Sequence, residues 1–306
     1  MTLERITSPL LQPFKHGFYT RVGGASSGIF AGLNCGLSSS DQAEIVSINR
    51  ARVAQDMGVK PQSLVTVHQT HSADVLIIDA AIRPATSADA LVTATPQLAL
   101  GVLSADCQPV LFADPKAGVI GAAHAGWRGA LDGILEATLE AMESLGAQRE
   151  NTSAVIGPCI SQAAYEVGQE FFERFADHDP TALQYFINSQ TVGKYLFDLP
   201  GYGLSRLRAA DVKTATWTRD CSYADARRFY SYRRTTHQGQ ADYGRMIATI
   251  KLGAYTALGL HCQTLFKHLK GHARVFFRGA DHQRCFDASH IGSGQQFTGQ
   301  KRLKTA

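Results

Sequence analysis

The chain has 306 residues, 44% of them hydrophobic and 18% charged, a balance that supports a sizeable buried core and excludes a disordered chain. No run of about 18 apolar residues occurs, so no transmembrane helix is expected, and the opening MTLERITSPLLQPF does not read as a secretory signal. The net charge of +4 hides a division: residues 253–306 carry 8 Lys and Arg against 2 Asp and Glu, leaving 22 against 24 before them. A near-neutral body gives no reason to expect nucleic acid as principal partner, and six cysteines without a C-x-x-C pair read as reduced thiols of a cytoplasmic protein.

His16 to Gln42 is rich in Gly and Ser. It reads as turns between short strands or as irregular backbone over a site, and Arg21 and Asn34 are its candidate substrate-binding groups. Asp41 is placed to cap a helix whose Ile45, Ile48, Val53 and Met57 share a face and which ends at Gly58. In SLVTVHQTHSADVLIID, apolar residues on both sides of a break predict a hairpin with His68, Gln69 and His71 at its tip.

The central stretch, Leu98 to Gly129, contains three apolar runs, Leu98–Leu103, Val110–Phe112 and Val119–Ala123, broken by SADCQP and DPKAG. Runs this short predict strands. Cys107 lies in the first break and His124 where the third run ends, at opposite ends of a strand–turn–strand unit whose return makes them neighbours. A helix is expected from near Gly129 to Gly146, with Leu131, Ile134, Leu135, Thr138, Leu139 and Met142 on one face. AHAGWRG and VIGPCIS each place a glycine-containing turn before a helical segment, an arrangement that favours anions, and Arg128 strengthens the first.

Further on, residues 194–199 predict a strand and 199–210 a helix. Arg227, Arg228, Arg233 and Arg234 read as a solvated basic face or as a cluster holding an anionic substrate. Alternating strands and helices predict a single mixed α/β or α+β domain over residues 1–252. Residues 253–306 form a basic, histidine-rich tail, accessory or partly disordered, in which His268 and His272 have the i, i+4 spacing of a helical metal pair.

The constellation that carries chemistry is His71, Cys107 and His124. A catalytic zinc site commonly takes three protein ligands and leaves one position open, and bound zinc lowers the pKa of its water to near neutrality. Asp106, His68 and Gln69 are neighbours suited to orient ligands or carry protons. The same residues also fit a Cys107 thiolate with His124 as its base, and Cys107 alone also fits a small buried apolar side chain. A multicopper cluster needs further histidines, and no His-x-His pair occurs in the chain. A metal-binding regulator or partner protein is the alternative outside enzymes.

VHQTH, SADCQPVLFADP, AAHAGWRG, IGPCISQAAYEVG and FYSYRRTTHQGQADYGRM resemble, closely and in order, the YfiH family, whose members have been called polyphenol oxidases, laccase-domain proteins and peptidoglycan editing factors. With HGFYTRVGG the resemblance covers roughly residues 15–252. Ser72 stands where the family loop HQTHG has glycine, and TTHQGQADYGRM is longer than the ending of many members. The resemblance implies a layered α/β/β/α domain similar to the catalytic domain of the cytotoxic necrotizing factors. It implies zinc, or copper, on His71, Cys107 and His124. It implies phosphorolysis of adenosine, inosine and methylthioadenosine, with adenosine deamination as a second activity; for phosphorolysis, basic groups such as Arg21 or Arg128 are suited to hold the phosphate. Oxidation of phenols by copper-loaded members and hydrolysis of UDP-MurNAc carrying Ser are the alternatives. The expected partners are therefore a purine nucleoside and phosphate; Arg21, Asn34, Gln69 and Arg128 are the substrate-binding candidates.

Overall fold

The computed structural model describes residues 2–80 and 86–253, and the backbone of two strands, 274–277 and 284–287. In chain order the elements are β1 (Arg5–Ile6), β2 (Lys15–Tyr19), α1 (Ala43–Met57), β3 (Leu64–Val65), β4 (Val75–Ile77), β5 (Ala90–Thr93), β6 (Ala99–Ser104), β7 (Gln108–Asp114), β8 (Val119–Ala125), α2 (Trp127–Asp132) and α3 (Ile134–Ser144). There follow β9 (Ser153–Ile156), β10 (Glu166–Gly168), α4 (Gln169–His178), β11 (Phe186–Asn188), β12 (Lys194–Phe197), α5 (Leu199–Ala209), β13 (Thr214–Trp217), α6 (Tyr232–His237), β14 (Met246–Lys251), β15 (Arg274–Phe277) and β16 (Arg284–Asp287).

β7 and β8 are buried along their whole length, so their two faces must both be covered. Val110 and Phe112 face one apolar cluster with Leu135, Leu139 and Met142 of α3 and Leu207 of α5. Leu111 and Ala113 face a second cluster, shared with Leu100 and Val102 of β6 and Ala248 and Ile250 of β14. This is the two-residue alternation of a strand packed on both sides. The second cluster lies between an eight-stranded sheet, β13-β9-β7-β8-β5-β4-β15-β16, and a five-stranded one, β1-β2-β14-β6-β3. The outer face of the smaller sheet carries Tyr19, Leu64 and Ile247, which pack on Val53, Ala54 and Met57 of α1. The result is the layered α/β/β/α arrangement of a mixed α/β domain. A three-stranded sheet, β10-β12-β11, stands apart and packs Phe171 and Phe175 of α4 on Phe186 and Phe197.

The β7–β8 hairpin has the expected form, with Pro109 opposite His124. The hairpin expected at HQTH does not form. β3 pairs in parallel with β6 in the five-stranded sheet, whereas β4 pairs in parallel with β5 in the eight-stranded sheet. The intervening loop crosses between layers and is fastened to both. Gln69 brackets the Leu103 backbone from one side (2.8 Å to O and to N), and the residues after it are held by Asp89. The helix expected from Gly129 begins at Trp127 and is broken at Gly133, whose φ of 94° is left-handed. Asp41 does not cap α1: its carboxylate accepts from Ser26 and Asn34, and the cap position is Gln42. The buried face of α1 is Val46, Asn49, Val53, Ala54 and Met57, leaving Ile48 exposed.

Part of the basic tail joins the fold. β15 adds antiparallel to β4, and β16 to β15. His268 and His272 lie outside the described residues. Among the described residues no helix is long and apolar enough to cross a membrane.

Candidate metal centre

Three chain segments bring His71, Cys107 and His124 together. Cys107 stands just before β7, and His124 is the penultimate residue of β8, so the hairpin register alone sets them side by side. His71 comes from the crossing loop. One donor atom from each of the three lies within 4.8 Å of every other, with Cys107 Sγ 3.7 Å from His71 Nε2. The imidazoles of His71 and His124 meet edge to face at 4.8 Å between centroids. Gly126 makes the approach possible: a Cβ there would lie 2.8 Å from His71 Cδ2 and 2.9 Å from Cys107 Sγ.

Asp89, fully buried ahead of β5, organises the corner. Its Oδ1 accepts from the His71 amide (3.0 Å) and contacts His124 Nδ1 (2.8 Å). Its Oδ2 accepts from the amides of Thr70 (3.0 Å) and Ser72 (2.7 Å) and from the Ser72 hydroxyl (3.0 Å). With Nδ1 committed to Asp89, His124 presents Nε2 to the shared space. The same carboxylate holds the loop while His71 adopts a φ of 61°, a conformation that costs a non-glycine residue on the order of 1–3 kcal/mol.

Charge follows from this wiring. Burial opposes ionisation of Cys107, but the charge and hydrogen bond of His124, with those of His71, outweigh it and bring the thiol down to about 6. Burial likewise disfavours the His124 imidazolium, but Cys107 and Asp89 outweigh it and raise the group to about 9. Asp89 pays a burial penalty too; its bonds and charge interaction with His124 and the Ser72 and Thr70 amides still hold it below the ordinary carboxylate range.

Two of the donors, His71 and Cys107, open on a cavity of about 410 Å³ lined also by Trp127, Tyr165, Phe171 and Arg233, among others. Sequence reasoning singled out the three donors, but not Asp89, which sits in a turn-like SAD and carries no local signal. It also missed the aromatic wall, whose residues come from α2, α4 and the segment before β10. The substrate-binding candidates fare differently. Gln69 is bound to the β6 backbone. Asn34, fully buried, bonds Ser39, Asp41, and the amides of Gly36 and Arg245. Arg21 donates to the carbonyls of Ala31 (2.7 and 2.9 Å) and Ala226 (3.1 Å) and lies over Tyr230. Arg128 is exposed beside the Trp127 ring. None of these four is among the cavity-lining residues. Asp106 is bonded to Ser222, Ser231 and the Arg233 amide, His68 is exposed, and Arg228 and Arg234 are tied to Glu4 and Asp220 and to backbone carbonyls.

The donor types, and the one spacing between Cys107 and His71, fit a zinc ion. With about 2.3 Å to sulfur and 2.0–2.1 Å to nitrogen, a zinc ion would separate a thiolate and an imidazole by about 3.5 Å, close to the 3.7 Å between Cys107 and His71. The soft thiolate with two imidazoles suits zinc or copper.

Residues 15–253 match the family model described as multi-copper polyphenol oxidoreductase laccase. A purine nucleoside phosphorylase of Deinococcus radiodurans is 40% identical over 238 residues, which are 78% of this chain and 88% of that protein. The crystal structure of Neisseria meningitidis protein NMB0706 superposes with a TM-score of 0.73 at 34% identity, over 83% of this chain and all of that one. That of the Bacillus licheniformis hypothetical protein YfiH gives 0.72 at 28% identity, over 78% and 92%. The sequence motifs, the layered fold and these matches agree, and the chain belongs to the YfiH family, described as multi-copper polyphenol oxidoreductase laccases.

Proposed function

We propose that the protein is a metal-dependent purine nucleoside phosphorylase acting on adenosine, inosine and methylthioadenosine, with adenosine deamination as a second activity. The observation that carries this reading is that His71 and Cys107, with the His124 donor within 4.8 Å of theirs, line a cavity walled by Trp127, Tyr165 and Phe171. Flat aromatic side chains suit a purine ring, whose faces they can stack against, and the name of the Deinococcus relative supports the reading. His71, Cys107 and His124 would hold zinc; when bound, it supplies Lewis acidity at its open position. In phosphorolysis a phosphate oxygen bonds to C1′ of the ribose while the glycosidic C–N bond breaks. The base leaves with that electron pair and takes up a proton, giving ribose 1-phosphate. The chain's contribution is to stack the base, to hold phosphate and ribose in line and to keep water from C1′.

The test is incubation of metal-quantified protein with inosine and phosphate. Hypoxanthine and ribose 1-phosphate should appear in equal amounts and only with phosphate; a metal-replete preparation that forms neither refutes the reading. A second reading rests on one further observation. His124 is flanked by Cys107 and by Asp89, the order of a nucleophile, its base and an orienting carboxylate. Such a site would cut an amide, as in the lactyl–Ser bond of UDP-MurNAc-L-Ser. Serine released from that precursor by metal-free protein would favour it.

A further inference from the structure

We propose that Arg233 is the binding site for inorganic phosphate in this cavity, and that Asp106 is the positioning residue that sets it there. The proposal rests on the phosphorylase reading for its ligand and on geometry for its place. Phosphorolysis needs an anion beside the reacting sugar, and the two arginines first named for phosphate are not among the lining residues: Arg21 donates to backbone carbonyls, and Arg128 is exposed beside Trp127.

Arg233 is the cationic side chain among the residues that line the cavity with Cys107 and His71. Its guanidinium lies over the Tyr165 ring, 5.3 Å from the centroid, and Nη1 donates to the Glu166 carbonyl at 2.6 Å. Among the described residues no carboxylate forms an ion pair with it. The Glu166 side chain is turned to Lys194 (3.0 Å) and Ser189 (2.6 Å), and the Asp106 carboxylate accepts from the Arg233 backbone amide. The guanidinium is therefore anchored by one N–H, set over an aromatic ring, and left with its other N–H groups and its charge for a ligand. A planar fork of this kind matches two oxygens of a phosphate.

Asp106 fixes the direction. Its carboxylate is buried and takes three hydrogen bonds, from Ser222 Oγ (2.6 Å), Ser231 Oγ (2.9 Å) and the Arg233 amide (2.7 Å). Ser231 in turn caps α6 by accepting from the Arg234 amide. Asp106 itself adopts a φ of 91° and lines the cavity beside Cys107, the next residue. One residue thus joins the loop of the metal donors to the first turn of α6, which carries Tyr232 and Arg233 into the cavity wall.

The experiment titrates inorganic phosphate into metal-replete protein by calorimetry, alongside steady-state kinetics. In R233Q the phosphate affinity should fall about 10–100-fold, the scale of a charge-assisted hydrogen-bond pair, and KM for phosphate should rise equally. KM for the nucleoside should stay within about twofold. R233K should recover part of the loss. D106N should weaken phosphate binding with zinc content unchanged; S231A, a milder cut at the same joint, gives the same reading if D106N does not fold. Phosphate binding by R233Q at the wild-type level, or loss on R128Q instead, overturns the proposal. Wild-type protein that binds phosphate through Arg233 but does not cleave nucleosides keeps the site and removes the phosphorylase. Phosphate-dependent cleavage that R233Q leaves untouched does the reverse.

Discussion

Two parts of the molecule are built from the same polar and glycine-rich material and put it to opposite uses. In residues 16–42 the polar side chains consume one another: Asn34 bonds Ser39 and Asp41, Asp41 bonds Ser26, Ser26 accepts from Asn49, and Arg21 closes on Ala31 and Ala226. At the corner around Asp89 the backbone amides are satisfied instead by one buried carboxylate. That leaves Sγ of Cys107 and the outer nitrogens of two imidazoles facing a shared space. The first region is a tie that holds loops onto the sheets; the second is a socket. What separates them is where the hydrogen-bonding capacity is discharged, which residue type alone does not reveal.

The contrast breaks or sharpens under mutation. The largest effect belongs to Cys107→Ser, which should lower metal affinity and turnover by more than about 100-fold, beyond the cost of losing an outer partner, with the melting temperature nearly unchanged. Unaltered metal content by elemental analysis would remove Cys107 from the socket. Asp89→Asn should follow, with metal affinity down about 10–100-fold and a loss of stability as well, since it also weakens the amide cradle; a variant with full metal affinity would show that the His124 contact is incidental. Asn34→Ala should do the converse, costing about 2–4 kcal/mol in urea unfolding and leaving the metal stoichiometry at the wild-type value. A change in nucleoside KM without that stability loss would return Asn34 to the substrate.

The smallest effect is a pH dependence in the tie region. Burial holds His16 below its ordinary range, with Nδ1 on the Phe14 carbonyl and Nε2 accepting from the Ser8 amide. A depressed histidine is neutral in the fold and takes up its proton on unfolding. Its stabilisation is therefore full above about 6.5 and is lost as pH falls toward the folded-state value, at no more than about 1.4 kcal/mol per pH unit. Unfolding curves of wild type and His16→Asn should converge in slope above that pH and diverge below it; parallel slopes throughout would assign the dependence to other groups.

The meeting of His71, Cys107 and His124 was legible because each stands at a strand end or in a tight turn, and because the β7–β8 hairpin is written in the spacing of Cys107 and His124. The HQTH loop was not. Leu64–Val67 and Val75–Ile78 look like two arms of one hairpin, but which sheet a short apolar run joins depends on partners distant in sequence, here β6 for one and β5 for the other. Asp89 was silent for a related reason. An aspartate before an apolar strand reads as a turn residue, and only the register of β5 with β8 places it against His124. Arg233 was visible as one of four arginines, though nothing local distinguished it from Arg228, which is neutralised by Glu4 and Asp220.

Every hydrogen bond that Asp89 makes runs to the protein itself, so the corner is built by the chain's own groups. A metal seated there would be exchangeable without unfolding the corner. For imidazole and thiolate donors copper outbids zinc in intrinsic affinity, so occupancy would be decided by the cell's supply of each metal. One scaffold could then be isolated in differently loaded forms, each with its own chemistry.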